Sequence, residues 1–239
     1  MVSKGRFAVL AVIAAMPSFL KRPLYRLLFG YRIGKRVRIG FSIIDANQCE
    51  IGDDVAIGHL NAIVGVGMLR IGEHSRIGAL NVFRGGDEVR IGRYCDILRL
   101  NEINSIPEPE VVNEIDPRFV MGDGSMIGAS HKIDFTDRVE FGKCVILGGR
   151  NSSIWTHNRQ KTKPVTIGER TYLGSEIRIA PGSEVASRCI VGMGAVVSGK
   201  FDAEFKLIGG VPAKEIKDLD EEGRFLTERK TRNDLPDDI

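Results

Sequence analysis

The sequence predicts an all-β fold, a left-handed parallel β-helix of about eight triangular coils with short helical segments at its N- and C-terminal ends. Three observations carry that prediction. The dipeptide Ile-Gly recurs at Ile33, Ile39, Ile51, Ile57, Ile71, Ile77, Ile91, Ile127 and Ile167, and Met121, Phe141, Leu147, Leu173 and Val191 fill the same slot before glycine. In the cleanest stretch Ile167, Leu173, Ile179, Val185, Val191 and Val197 follow one another at six-residue steps. A second, mostly smaller position (Thr171, Ile177, Ser183, Cys189, Ala195) comes four residues after each aliphatic. That period is neither helical nor the alternation of an ordinary strand. It is what a short strand and a sharp corner require when three such sides close a coil. Composition agrees, because 28 glycines against 11 Phe, 4 Tyr and 1 Trp leave a thin interior to be filled by Ile, Val and small residues.

Taken in order, residues 1–30 are expected to form an N-terminal amphipathic helical segment. Residues 1–44 contain Lys4, Arg6, Lys21, Arg22, Arg26, Arg32, Lys35, Arg36 and Arg38 and no acid. The apolar run Phe7–Leu20 is too short for a membrane span, which needs about 18–20 apolar residues, and Pro17, Lys21, Arg22 and Pro23 interrupt it. One or two short helices that cap the first coil or lie on an anionic membrane surface fit better, with a cleaved signal peptide as the alternative. Without aromatic-basic interleaving, the basic run does not point to nucleic acid.

Residues 31–199 are assigned to the β-helix. Counting three sides per coil puts coil starts at Ile33, Ile51, Ile71, Ile91, Met121, Phe141, Ile167 and Val185. With six-residue steps on the first two sides of every coil, all extra residues fall after the third side. The longest insertions are the loops 104–120 and 154–166. Repeat proteins carry function on loops that leave one face, so this third corner is the expected site. The layout also exposes a column ten residues into each coil, with Asn61, Asn81, Asn101, His131 and Asn151 as its polar members. Stacked amides satisfy one another along a parallel helix, so His131 and Asn151 are candidate ladder residues. Residues 200–239 are read as a C-terminal cap and acidic tail, in which Phe201–Lys217 and a helix-like 218–231 segment finish the last coil.

Four cysteines, Cys49, Cys95, Cys144 and Cys189, lie far apart with no CxxC pair, which fits reduced thiols in the cytoplasm. Among four histidines, His59 and His74 read as surface residues. His157 lies in the loop that reads Ile154-Trp155-Thr156-His157-Asn158, at the corner where insertions gather. An imidazole there suits the task of taking a hydroxyl proton and returning it to a leaving group. Asp134 is the candidate acidic partner, since its side ends at the same corner. Arg150 and Asn151, at the base of that insertion, are candidate acceptor contacts together with His131 and Asp134.

These blocks resemble the hexapeptide-repeat O-acetyltransferases typified by galactoside and maltose acetyltransferases, and the acyltransferases of polysaccharide gene clusters. The likeness covers roughly residues 31–217. It is carried by His131-Lys132-Ile133-Asp134, Thr156-His157, Lys163-Pro164-Val165-Thr166-Ile167-Gly168, Tyr172-Leu173-Gly174-Ser175, Ala180-Pro181-Gly182, Val191-Gly192-Met193-Gly194 and Gly210-Val211-Pro212-Ala213-Lys214. The resemblance implies an acetyl-CoA-dependent transfer of an acyl group to a sugar hydroxyl in surface-polysaccharide biosynthesis. It implies His157 as general base and the Ser175 backbone N–H against the oxyanion. Tyr172, Met193, Ser198, Lys200 and Lys214 would line the cofactor groove. In place of the usual Ser/Thr-Lys pair the chain has Ser198-Gly199, with Lys200 one residue late. A homotrimer with sites between subunits is also implied, and no metal is required. The cytoplasm, with peripheral contact to the inner membrane, is the expected location. Rival readings are an N-acyltransferase acting on an amino sugar, a non-catalytic β-helix scaffold, and a zinc site, for which His131 and His157 lack a third histidine.

Overall fold

Residues 4–110 and 113–239 are described by the structure, a computed structural model. Residues 1–3 of the N-terminal segment and residues 111–112 of the 104–120 loop lie outside the described residues.

The period of six forms a parallel β-solenoid with three sides. On the first side Ile33, Ile51, Ile71, Ile91, Met121, Phe141, Ile167 and Val185 stack in register. The second side stacks Ile39, Ile57, Ile77, Ile97, Ile127, Leu147, Leu173 and Val191. Ile44, Ile63, Phe83, Ile103, Ile133, Ile154, Ile179 and Val197 form the third. All of these side chains are buried in one continuous core. Phe201 pairs with Val185, and Ile208 with Val191, so a ninth, incomplete turn follows the eight counted from sequence. A coil presents its backbone edges and half its apolar side chains to the next, which is why stability comes from stacking rather than from any single coil.

Most glycines after an inward aliphatic solve a contact between coils. At Gly78 an added Cβ would sit 1.9 Å from the carbonyl oxygen of Leu98 in the coil above. The left-handed residue that turns each corner comes two positions later and is mostly not glycine: Asp54, Leu60, His74, Leu80, Tyr94 and Leu100 all have φ near +60°. That conformation costs roughly 1–2 kcal/mol per residue, and the backbone hydrogen bonds between corners of adjacent coils offset it, as where Asp54 N–H donates to Lys35 O at 3.0 Å.

Two coils depart from the regular step. Ile39 to Ile44 spans five residues and Leu147 to Ile154 spans seven. The expected six-residue step therefore fails on the second side of the first and sixth coils, with a register shift recorded where Ala129 pairs with Arg150. The shift moves the polar column. Asn61 Nδ2 donates to Ser42 Oγ at 3.2 Å, Asn81 Nδ2 to Asn61 Oδ1 at 3.0 Å, and Asn101 Nδ2 to Asn81 Oδ1 at 3.0 Å. His131 N–H donates to Asn101 Oδ1 at 2.9 Å, and His131 Nδ1 accepts from the Ser152 backbone at 3.1 Å. The ladder thus begins at Ser42 and continues to Ser152. Asn151, expected in it, is exposed and turns the corner with φ +59°.

Helices α1 (Lys4–Ala15) and α2 (Ser18–Phe29) cover the first coil. Pro17 separates them, and Gly30 ends α2 in the left-handed conformation, its N–H donating to the Arg26 carbonyl. Pro23 lies inside α2 without ending it. Leu10, Ile13 and Tyr25 pack on the coil. Lys21 is buried between them, its ammonium donating to Ala14 O at the end of α1 and to Gly40 O in the first coil. A cation there complements the free carbonyls of a helix terminus. Only α2 has separate polar and apolar faces; α1 is apolar all round beyond Arg6.

The C-terminal segment does more than close the last coil. Strand 214–218 runs antiparallel to 206–209, α3 (Glu221–Glu228) follows, and the tail then returns along the first corner. Arg232 Nη1 donates to His74 O at 2.9 Å, and Leu235 and Ile239 pack on Cys144. The tail straps coils three to seven, where the sequence suggested a cap.

Candidate active site

The third corner of coils five and six brings His157 and Asp134 together. Ile133 pairs with Ile154, so Asp134 leaves coil five directly beneath the start of the 154–166 loop. Its carboxylate is buried and hydrogen bonded to His157 Nδ1. Oδ1 also accepts from Thr136 N at 3.0 Å and Thr136 Oγ1 at 2.6 Å, and Oδ2 from Thr156 N at 3.3 Å. A carboxylate that has left water is tolerated only with such a set of donors. An ionised carboxylate only accepts, so a neutral imidazole bonded to one through Nδ1 has its proton there and its lone pair at Nε2. Asp134, named above both as the candidate acidic partner and among the acceptor contacts, lies hydrogen bonded to His157.

The loop holds His157 from both sides. Lys163 N–H donates to Thr156 O at 2.7 Å, Asn158 N–H donates to Lys161 O at 2.9 Å, and His157 bridges to Thr162. Trp155 stands edge-on to His157, ring centroids 6.3 Å apart, and Lys132 Nζ lies 5.4 Å above the indole. The 104–120 loop docks on the same structure. Asn113 Nδ2 donates to Thr162 Oγ1 at 2.8 Å, Asn113 Oδ1 accepts from Thr162 N at 3.0 Å, and Ile106 N–H donates to Thr136 Oγ1 at 3.0 Å.

His131 is excluded from this cluster. It is 1% exposed, and burial lowers its pKa from 6.5 to about 4, so the ring is neutral in the ladder and has no surface to offer an acceptor. Arg150 and Asn151 also fall elsewhere. They lie on the second corner, at the opposite end of the third side, with Arg150 O accepting from Glu176 N–H and Asn151 O from Arg178 Nη1.

That second corner gathers Tyr172, Ser175 and Met193, the first and last well exposed. Gly149 has φ +61°, and a Cβ on it would sit 1.6 Å from Ser175 Oγ, so the glycine both turns the chain and leaves room for Ser175. Ser198 is exposed on the third corner of coil eight. Lys200 is on the first side, paired with Glu184, and Lys214 is on the final antiparallel strand. A strand rises about 3.3 Å per residue, so five residues put Ser152 and His157, hence the two corners, roughly 15 Å apart. Within one chain Ser175 and His157 cannot meet on one reacting group.

The remaining titratable groups offer little chemistry. His74 stacks on Tyr94 with centroids 4.7 Å apart, and Phe41 N–H donates to His59 Nδ1 at 3.2 Å. All four cysteines are unpaired and buried, with the Cys49 and Cys95 thiols pushed up to about 12 by desolvation, which keeps them protonated. Among the described residues no three His, Cys, Asp or Glu side chains gather as a metal would need.

Sequence reasoning missed Thr136, Thr156 and Asn113. A signal existed for Thr156, which directly precedes His157 in the Thr156-His157 element.

No protein-family model matches the chain. It is 37% identical over 65 residues to a candidate lipopolysaccharide biosynthesis O-acetyl transferase, WbbJ, of Escherichia coli (strain K12), a match covering 27% of this chain and 33% of that protein. The match thus spans about a third of the relative's length. Among solved structures it is similar to a UDP-N-acetylglucosamine acyltransferase from Campylobacter jejuni, with TM-score 0.51, 14% identity, and coverage of 82% of this chain and 76% of that one. A hexapeptide-repeat-containing acetyltransferase from Vibrio cholerae O1 biovar eltor, complexed with acetyl coenzyme A, has TM-score 0.40 and 16% identity, and covers 92% of each chain.

Proposed function

The chain carries the hexapeptide repeat and parallel β-solenoid of the hexapeptide-repeat acetyltransferases, and on that premise we propose that it is an acetyl-CoA-dependent O-acyltransferase acting on a sugar hydroxyl. One observation supports the reading above others: a solvent-reachable histidine rests on a buried carboxylate that accepts further hydrogen bonds at both oxygens. Such a pair serves a reaction that needs a base with one defined tautomer.

In the proposed reaction His157 Nε2 removes the acceptor hydroxyl proton as that oxygen attacks the thioester carbonyl of acetyl-CoA. The carbonyl π electrons move to oxygen, giving a tetrahedral oxyanion, while Asp134 stabilises the imidazolium. On collapse the carbon–sulfur bond breaks and the imidazolium returns its proton to the departing thiolate. The new ester stays on the sugar and free CoA leaves. Ser175 N–H is the proposed oxyanion donor. Because it lies a full side away from His157, the reading requires it to come from a neighbouring subunit of a trimer, which also sets Tyr172 and Met193 beside the cofactor of that site. Ser198, Lys200 and Lys214 remain proposed contacts for the cofactor's distal end. The O-acetyl transferase name of the Escherichia coli relative supports a hydroxyl acceptor and a place in surface-polysaccharide assembly.

The test is release of free thiol from acetyl-CoA with matched panels of neutral sugars and amino sugars. Turnover confined to amino sugars would replace the O-acyl reading with N-acylation. A His157→Ala variant as active as the parent would end the proposed mechanism.

A further inference from the structure

We infer that α1 and α2 form an interfacial anchor that docks the solenoid on an anionic lipid bilayer. The two helices cover the first coil with only half of their surface. On α1 the residues turned away from the coil are Phe7, Ala8, Val9, Ala11, Val12 and Ala15, all exposed and none polar. On α2 the outward strip is Phe19, Leu20, Leu27 and Leu28, with Phe19 76% and Leu27 83% exposed. A groove lined by Val9, Val12, Met16, Leu24 and Leu28 joins the strips into one apolar surface. An all-apolar helix left half uncovered is unstable in water unless something apolar lies on it.

Charge selects the occupant. Residues 1–44 contain no acid, and at helical spacing Arg22 and Arg26 border the outward strip of α2 on one edge. Apolar centre and cationic rim match the acyl boundary and headgroups of an anionic leaflet. Neither helix is long enough to cross: at 1.5 Å per residue each spans about 18 Å, against about 30 Å of hydrocarbon. The pair therefore lies in the interfacial plane. A second copy is a poorer occupant. Two helices side by side offer a footprint of roughly 350 Å², under half of the ~800 Å² per partner of a stable interface, and self-pairing would set arginine against arginine.

The full-length protein is to be sedimented with vesicles of one part phosphatidylglycerol to two parts phosphatidylcholine and with phosphatidylcholine alone, at low and at molar salt. The expected result is binding to the anionic vesicles only, weakened by salt. Phe19→Ser with Leu27→Ser should lower the bound fraction more than about tenfold, and Arg26→Ser about fivefold. Both variants should keep the parent's thermal unfolding midpoint and its thiol-release rate on soluble acceptor, since these side chains lie far from His157. Absence of binding to anionic vesicles, or binding unchanged by Phe19→Ser with Leu27→Ser, would overturn the inference. So would a lower sedimentation coefficient for that variant, which would make the face an interface between copies.

Discussion

Replacing Asp134 by Asn removes a charge at nearly constant volume and is the sharpest perturbation of the proposed site. Asp134 accepts at both oxygens, from Thr136 N and Oγ1 on one and from Thr156 N and His157 Nδ1 on the other. Asparagine has one acceptor oxygen and one amide that only donates. If the oxygen serves the Thr136 donors, the amide faces Nδ1 of His157, which must then become an acceptor. The imidazole proton moves to Nε2, and the base is lost. The comparable change in the Ser-His-Asp template lowers kcat by about 10⁴, and a drop of 10³–10⁴ is expected here, about 4–5.5 kcal/mol of transition-state stabilisation. The fold should survive with a loss of about 1–3 kcal/mol, because one donor, Thr156 N–H, loses its acceptor. Thiol release at saturating acetyl-CoA and acceptor, with a urea unfolding curve on the same sample, separates the two effects. Turnover within threefold of the parent in a folded Asp134→Asn protein would refute the assigned tautomer and the role of the pair.

Other expectations concern the ladder and the loops. Burial holds the folded His131 pKa near 4, whereas the unfolded chain titrates near 6.5, so the unfolded state takes up a proton first as pH falls. Stability is full above pH 6.5 and declines towards pH 4 by up to about 3 kcal/mol, and His131→Asn, which continues the amide column, should flatten that decline in pH-dependent urea melts. Asn81→Ala strands the Asn101 backbone N–H and Leu98 O and removes one of the two donors to Asn61 Oδ1. It should cost about 3–5 kcal/mol, read from the unfolding midpoint at unchanged m-value. Asn113→Ala removes the hydrogen bonds between the two long loops, and faster amide exchange across 154–166 with global stability within about 1 kcal/mol is expected.

How much of this was legible in sequence depends on whether a property belongs to the repeat or to its exceptions. A six-residue aliphatic period has one packing solution, so the parallel solenoid, its inward columns and the shared corner of the long insertions could be read directly. His157 was found because it sits on one of those insertions. Asn151 shows where such reading stops. Counting in sixes assigned it to the ladder and placed Arg150 beside the catalytic loop, but one extra residue between Leu147 and Ile154 turns both outward and substitutes Ser152. The slip left a trace in hydrophobicity, since six-residue counting puts Ser153 where the coils of regular step have an aliphatic or Phe, and stacking of Ile154 on Ile133 decides the register. The partnership of Asp134 with His157, 23 residues apart, was expected from their shared corner, and the superposition of consecutive coils supplies the contact itself. The sequence by itself determined the periodic part of this protein, because each inward side chain repeats the same local demand. Tertiary structure alone decided the aperiodic part, the register slip, the threonine donors around the Asp134 carboxylate and the uncovered face of the terminal helices, because these depend on which coil lies against which.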